Sequence, residues 1–324
     1  MQNRVNIGVL GYANIAQKAI IPAILESDYF NLNGIATQKE QQLSLLKEKY
    51  KCQVFSKYQD LIENKDVQAV YIPLPNSLHF EWVKKALLNK KHVLVEKSLA
   101  CTLDEVIELN EIAKKQNLAL VENFQFRFHD QLQFIKKLIN ENGIGKIRSI
   151  RSSFCFPPFV DKSNIRYKKE LGGGALLDAG AYPIKLAKEL LGATLKITAA
   201  NLNNDTFEVD IWGAGTIIET NSNIPLQFVF GFDHHYQCNV EIIGSLGKIS
   251  TQRIFTAPPG FEVELLVEKN QERKTIKVSP QNHYTNMLNY FYLCSQNEKL
   301  RQEEYKDNIL QFSLISNFLK LAHE

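Results

Sequence analysis

The chain has 324 residues, 44% of them apolar and 23% charged, an ordinary globular balance with enough length for two domains. A formal net charge of +3 is too small to make nucleic acid the main partner, although it suits an anionic cofactor or substrate. The five cysteines are scattered without a C-x-x-C pair, so neither a disulfide framework nor a zinc knuckle is indicated. No apolar stretch approaches the roughly 20 residues of a membrane span, and the N-terminus lacks a signal-peptide pattern, so a cytoplasmic location with no membrane partner is expected.

The stretch Val5–Ala16 reads as a short buried strand running into a tight turn and then a helix, the helix covering 14–26 with Pro22 bending it. Laid on the dinucleotide fingerprint G-x-G-x-x-G/A, this stretch supplies Gly11, Ala13 and Ala16, so only the turn glycine is intact. By itself it reads equally as a cofactor loop or as any strand-turn-helix. A strand over 32–36 follows, then a helix over 41–50, a strand over 68–72 and the rigid turn Pro73-Leu74-Pro75-Asn76. The spacing then predicts a helix over 78–88, a strand over 92–95 ending in Glu96-Lys97, a helix to about residue 115 opened by the Thr102–Glu105 capping box, and a strand over 118–121. Short apolar strands alternating with helices imply a doubly wound parallel sheet, so residues 1–122 are expected to form a Rossmann-type α/β domain.

The rhythm changes after Glu122. A helix over 131–140 and a strand over 147–156 lead to a polar loop with Arg166, and Gly172-Gly173-Gly174 opens a helix over 175–191. Strand-like segments at 196–202, 206–218, 226–232, 236–243, 262–268 and 273–278 have no helices between them, and helices at 282–293 and 308–322 close the chain. That pattern predicts a second domain, 123–324, of α+β class with a large, open, mainly antiparallel sheet flanked by helices.

Three polar groups fall at or beyond strand carboxyl ends, where open α/β sheets bind ligands: Asn76 with His79, Glu96 with Lys97, and Glu122 with Asn123 and Arg127. In the second domain Asp178 and Tyr182 are four residues apart on one helical face, behind the glycine run and just before Pro183, which should kink the helix there. A buried tyrosine bonded to an aspartate as a packing device is the bland alternative. His234, His235 and Cys238 attract notice, but read as a strand they put only two ligands on one face, so no metal site is expected.

These landmarks carry a family resemblance over essentially the full length. The opening loop, Glu96-Lys97, the segment Gly172–Tyr182, and the stretches Ala69–Trp82 and Glu122–His129 resemble the Gfo/Idh/MocA family of NAD(P)-dependent oxidoreductases. They are most similar to its branch with glucose–fructose oxidoreductase, dihydrodiol dehydrogenases and sugar-nucleotide 3-ketoreductases. The resemblance implies hydride transfer between nicotinamide and a sugar or keto-sugar, with Lys97 polarising the reacting oxygen, Tyr182 exchanging the proton and Asp178 orienting substrate or Lys97. It implies cofactor contacts from Gly11, Tyr12, Ala13, Asn14, Ile15, Thr37, Gln38, Lys39, Pro73, Leu74, Asn76, His79, Glu96, Lys97 and Asn123. Arg127 and Arg166 would meet an anionic part of the substrate, or serve as structural ion pairs.

Two departures stand out: Ser98 where family members usually have proline, and Ala13 in the loop. No carboxylate stands at the tip of the second strand, and Lys39 could meet a 2′-phosphate, which favours NADP(H) over NAD(H). A homodimer or larger homo-oligomer through the C-terminal sheet is also implied. Two other readings stay open: a dehydrogenase of free sugars or trans-dihydrodiols, and a cofactor-binding regulator without turnover.

Overall fold

The computed structural model describes residues 4–324, which divide into two compact units. One runs to Asn123 and takes in Tyr284–Ile309, and the other comprises Phe124–His283 with Leu310–Glu324.

The first unit opens with β1 (Val5–Leu10), buried at five of six positions because both sheet faces are covered. The chain then enters a helix through a π turn (Ala16–Ile20) that hands over to α1 (Ile21–Leu25). Pro22, which has no N–H, sits just after this wide turn, so the bend expected from the sequence takes the form of a π turn. There follow β2 (Phe30–Ala36), α2 (Glu40–Tyr50), β3 (Gln53–Phe55), α3 (Tyr58–Glu63), β4 (Ala69–Ile72), α4 (Asn76–Leu88), β5 (His92–Glu96), α5 (Leu103–Gln116) and β6 (Leu120–Asn123). The capping box of α5 forms as expected, the Thr102 hydroxyl accepting from the Glu105 N–H while the Glu105 carboxylate accepts from the Thr102 N–H.

All six strands are parallel, in the order β3-β2-β1-β4-β5-β6. The chain winds outward from β1 to β3 and then returns to the other side of β1, so the reversal point lies between β1 and β4. Every strand therefore ends on one edge, which carries Gly11, Thr37, Pro73 and Lys97 just past the tips of β1, β2, β4 and β5.

The second unit begins with α6 (Asp130–Asn140) and β7 (Ile147–Cys155). A second π turn (Leu176–Gly180) leads into α7 (Ala181–Leu191), again with a proline, Pro183, just beyond it. Seven more strands follow: β8 (Leu195–Asn203), β9 (Trp212–Glu219), β10 (Ile224–Gly231), β11 (Gln237–Gly244), β12 (Gly247–Gln252), β13 (Val263–Lys269) and β14 (Glu272–Val278). The helices α8 (His283–Gln296) and α9 (Glu298–Ala322) complete the chain.

The eight strands form one sheet in the order β14-β13-β12-β11-β7-β10-β9-β8, antiparallel except where β7 pairs with β10. Gly180 lies against Phe230 of this sheet, and Phe318 packs on Phe228 and Phe230. The fold is thus a parallel Rossmann sheet plus a mixed, mostly antiparallel sheet with helices.

Several local expectations need correction. The strand predicted over 206–218 starts only at Trp212, because an Asx turn, with Asn203 Oδ1 accepting from the Asp205 N–H, breaks the chain first. Residues 232–235 are a bend rather than the start of β11, so His234 and Cys238 do not share a strand face. β3, α3 and β12 have no counterpart in the sequence reading, and α9 starts at Glu298 rather than Asn308.

Candidate active site

In the first unit the loop after β1 turns on Gly11, whose φ of 110° lies in the region that favours glycine. A Cβ there would stand 2.8 Å from a methyl of Leu74, so only glycine lets the loop close against the turn after β4. Gln17 fastens the loop by donating to the Tyr12 carbonyl at 3.0 Å, and the Tyr12 and Tyr50 hydroxyls meet at 2.9 Å. The helix begins at Asn14, and the N–H groups of a first helical turn have no partner within the helix. Asn14 is exposed, with Tyr12, Ala13 and Ile15 partly so.

At the tip of β2 the Thr37 hydroxyl donates to Gln42 at 2.9 Å and accepts from the Lys39 N–H at 3.3 Å. Gln38 and Lys39 are left exposed, with no carboxylate on the tip itself.

The Lys97 turn is held from several sides. Glu96 receives a hydrogen bond from the Tyr71 hydroxyl at 2.6 Å and another from the Asn123 amide at 2.7 Å, both on Oε1. The Lys97–Ser98 peptide is cis. Ser98 N–H donates to Asn76 at 3.2 Å, and the Leu99 N–H donates to Glu122 at 2.9 Å. His79, fully buried, sets one ring nitrogen 2.7 Å from the Ser98 carbonyl and the other 2.8 Å from the Leu74 carbonyl. Tyr71 and Glu122 hold this turn; the sequence grouped Glu122 with the polar residues at the strand edge but gave Tyr71 no role.

The second unit builds around Tyr182, which is 7% exposed. Its ring stands edge-on to Phe124 and Phe154 at 5.3 and 4.9 Å, with Phe126 and Phe255 completing an aromatic box. Its hydroxyl donates to Gln125 at 3.4 Å, and Gln125 is itself oriented by donating to the Phe255 carbonyl at 3.2 Å. Gln125 was missed in the sequence, where nothing local ties it to a residue 57 positions away.

Asp178 accepts from Arg166 Nε at 2.6 Å. Burial opposes the Arg166 charge, but the adjacent Asp178 carboxylate outweighs it and holds the guanidinium charged, with Tyr182 acting in the same sense. Arg166 also lies over the Phe159 ring at 4.9 Å. Arg127 is paired with Glu189 at 3.2 Å, both side chains 9% exposed. Burial pushes the Glu189 carboxyl up, but Arg127, Lys136 and Lys188 prevail and bring it down to about 2. The geometry of Arg127 is that of a structural ion pair.

The glycine run has a packing explanation: a Cβ at Gly174, φ 112°, would stand 2.5 Å from the Asp210 carboxylate. Asp210 in turn accepts from the Leu176 N–H at 2.6 Å, at the start of the Tyr182 helix.

The first unit fits a dinucleotide. Oδ1 of Asn123, buried at the tip of β6, has no hydrogen-bond partner among the described residues and suits an amide N–H such as that of a nicotinamide carboxamide. Gly11 and the helix start offer the close backbone approach that a pyrophosphate requires. Among the described residues no group of three or more His, Cys, Asp or Glu side chains could hold a metal ion, all five cysteines are free, and no helix is long and apolar enough to cross a membrane.

A parallel sheet of this order with such a loop is the architecture of a dinucleotide-binding domain, and comparison with known proteins supplies the reaction class. Residues 5–124 match the oxidoreductase family with an NAD-binding Rossmann fold, and residues 132–250 match the GFO/IDH/MocA C-terminal domain. The chain is 32% identical over 313 residues, 97% of its length and 94% of the relative's, to the dTDP-3,4-didehydro-2,6-dideoxy-alpha-D-glucose 3-reductase of Actinomadura kijaniata. It is 35% identical over 81% of its length to the enzyme of the same name from Streptomyces violaceoruber, covering 77% of that protein. The crystal structure of a 3-ketoreductase from Actinomadura kijaniata in complex with NADP and TDP-benzene matches with a TM-score of 0.92 at 31% identity, over 98% of both chains. The protein belongs to the Gfo/Idh/MocA family and is an NAD(P)-dependent oxidoreductase.

Proposed function

We propose that the protein is a ketoreductase that uses NADPH to reduce a keto-sugar carried on a nucleoside diphosphate. The observation that carries this reading is the 32% identity, over 97% of the chain, with a reductase of a dTDP-linked sugar. NADPH, when bound, supplies the hydride to the carbonyl carbon.

The chain's own residues manage the oxygen. Lys97 donates a hydrogen bond to it and stabilises the negative charge that develops there. Tyr182 gives that oxygen its phenolic proton, so carbon gains hydride, oxygen gains a proton and the carbonyl becomes an alcohol. A tyrosine of ordinary pKa, about 10, is a weak acid, and the nearby Arg166 charge favours the phenolate left behind until solvent returns a proton. Asp178 keeps Arg166 in place, and Gln125 with the aromatic box fixes the phenol.

For the cofactor, Gly11 through Ile15 would hold the pyrophosphate, Lys39 and Gln38 with Thr37 would meet the 2′-phosphate, and Pro73, Leu74, Asn76, Glu96 and Asn123 would hold the nicotinamide. The absence of a carboxylate on the β2 tip and the NADP in the similar ketoreductase structure support NADP(H) over NAD(H). Arg166, with its side chain 37% exposed, is the group for an anionic part of the substrate, whereas Arg127 is committed to Glu189. The C-terminal sheet would pair two copies of the chain.

The test is NADPH oxidation by the purified protein with a dTDP-linked 3-keto sugar, free aldoses and trans-dihydrodiols. Turnover confined to the nucleotide-linked substrate is expected. Turnover of free aldoses or dihydrodiols alone would replace this reading with a dehydrogenase of those compounds. Tight NADPH binding without turnover of any of them would point to a regulator.

A further inference from the structure

His79 has an arrangement that a neutral imidazole does not satisfy. Both ring nitrogens face carbonyl oxygens at hydrogen-bond distance, Nδ1 to Ser98 at 2.7 Å and Nε2 to Leu74 at 2.8 Å. A carbonyl oxygen only accepts, and a neutral imidazole has a single N–H, so one of these contacts would set two lone pairs against each other. Only the imidazolium donates to both. The distances also suit charge-assisted hydrogen bonds.

A buried cation needs a counter-charge, and one lies across a single peptide group. The Ser98 carbonyl that faces His79 belongs to the same peptide unit as the Leu99 N–H, and that N–H donates to the buried Glu122 carboxylate at 2.9 Å. The peptide is therefore polarised from both ends, its oxygen toward the ring and its N–H toward the carboxylate. Such a chain strengthens each of its bonds.

We propose that His79 is a buried imidazolium paired with the Glu122 carboxylate through the Ser98–Leu99 peptide, and that this ionic relay is the positioning device for Lys97. One end of the relay fixes the Ser98–Leu99 peptide, one residue beyond Lys97, and the other fixes the Leu74 carbonyl in the turn after β4. Burial, and to a lesser degree the Lys97 charge, work against the cation and outweigh the two carbonyls, pulling the imidazole down to about 4. The relay therefore requires the Glu122 charge, transmitted by the peptide dipole, to outweigh both.

The consequence for turnover rests on the reading of Lys97 as the oxygen-polarising group, whereas the protonation state does not. The experiment separates them. Ring ¹⁵N resonances of the full chain, labelled at histidine and assigned through the His79 backbone, should show two protonated nitrogens at neutral pH. A bare nitrogen on His79 at neutral pH would overturn the relay, whatever the substrate proves to be.

In Glu122→Gln the counter-charge is gone while the side chain keeps its shape, and His79 should lose one of its two ring protons. If that variant fails to fold, the pH titration of the unaltered protein serves instead, with both His79 protons persisting well above pH 6.5, the ordinary histidine value. Loss of one of them near or below pH 6.5 would also overturn the proposal. In the folded Glu122→Gln variant kcat should fall about tenfold with the KM for NADPH nearly unchanged, as expected for a misplaced Lys97. An unchanged kcat alongside the predicted ¹⁵N signature would retain the relay and remove its link to Lys97.

Discussion

The Tyr71 hydroxyl on β4 donates to Glu96 at the end of β5, 2.6 Å away, so the residue immediately before Lys97 is tied to the neighbouring strand. The Asn123 amide on β6 binds the same oxygen from the other side. Three adjacent strand tips thus share one carboxylate. In Tyr71→Phe the ring still fills its buried slot while Glu96 loses this donor. A fall in kcat of about tenfold, worth about 1.4 kcal/mol, is expected with little change in thermal unfolding temperature. Steady-state kinetics beside a melting curve would check this.

Arg166 supplies positive charge near Tyr182 and is itself held by Asp178. Replacing it by alanine removes a charge that favours the phenolate. The alkaline limb of the kcat profile should therefore move to higher pH, with kcat at neutrality reduced by at least about tenfold. Asp178→Asn, which leaves the guanidinium in place but loosened, should have a smaller effect of the same kind. A profile whose alkaline limb stays put in Arg166→Ala would separate Arg166 from the proton step.

Lys39 is exposed at the β2 tip beside the Thr37 hydroxyl. If it meets a 2′-phosphate, Lys39→Ala should raise the KM for NADPH about tenfold and leave that for NADH nearly unchanged. Initial rates with both cofactors would test it. An equal effect on both would argue against a phosphate contact.

Two buried imidazoles, His129 and His283, face each other with ring centroids 5.5 Å apart. Burial, with His129 as a lesser influence, pushes His283 down to about 4, and burial lowers His129 as well despite the nearby Asp130 carboxylate. His129 Nδ1 accepts from the Gln131 N–H at 3.1 Å, which the neutral ring can do. Folded-state values below the unfolded one mean that the unfolded chain binds more protons, so stability is present above pH 6.5 and is lost as pH falls toward 4. For His283 the loss is about 1 kcal/mol between about pH 7.5 and 5.5, and it approaches about 3 kcal/mol below pH 4. Urea unfolding at the two pH values should show it, and His283→Gln should flatten the difference.

The outer face of the eight-stranded sheet presents Arg151, Asn201, Gln227 and Val229 around a shallow depression of about 510 Å³. Val229 is 36% exposed there, in the middle of β10. If this face pairs two copies of the chain, Val229→Glu should bury like charges across the interface and shift the protein toward monomer. Light scattering after size exclusion would read the change directly.

The sequence by itself determined the alternation of strands and helices and most of their places, because period, caps and turn residues act over a few neighbouring positions. It also placed Gly11, Asn76, Glu96, Lys97 and Asn123 at or just beyond strand tips, since in a parallel sheet every strand end falls on one edge. What it could not determine was which side chains hold one another. Tyr71 with Glu96, Glu122 with Leu99, Gln125 with Tyr182 and Arg166 with Asp178 depend on register between elements, or on how a loop folds back onto a helix. The helix irregularities show the same limit. Pro22 and Pro183 announced a disturbance, but whether it became a kink or a π turn was decided by packing around the helix. As a strand, His234 and Cys238 would share one face, but the bend before β11 separates them. Local chemistry fixed where polar groups could surface, and only tertiary packing chose their partners.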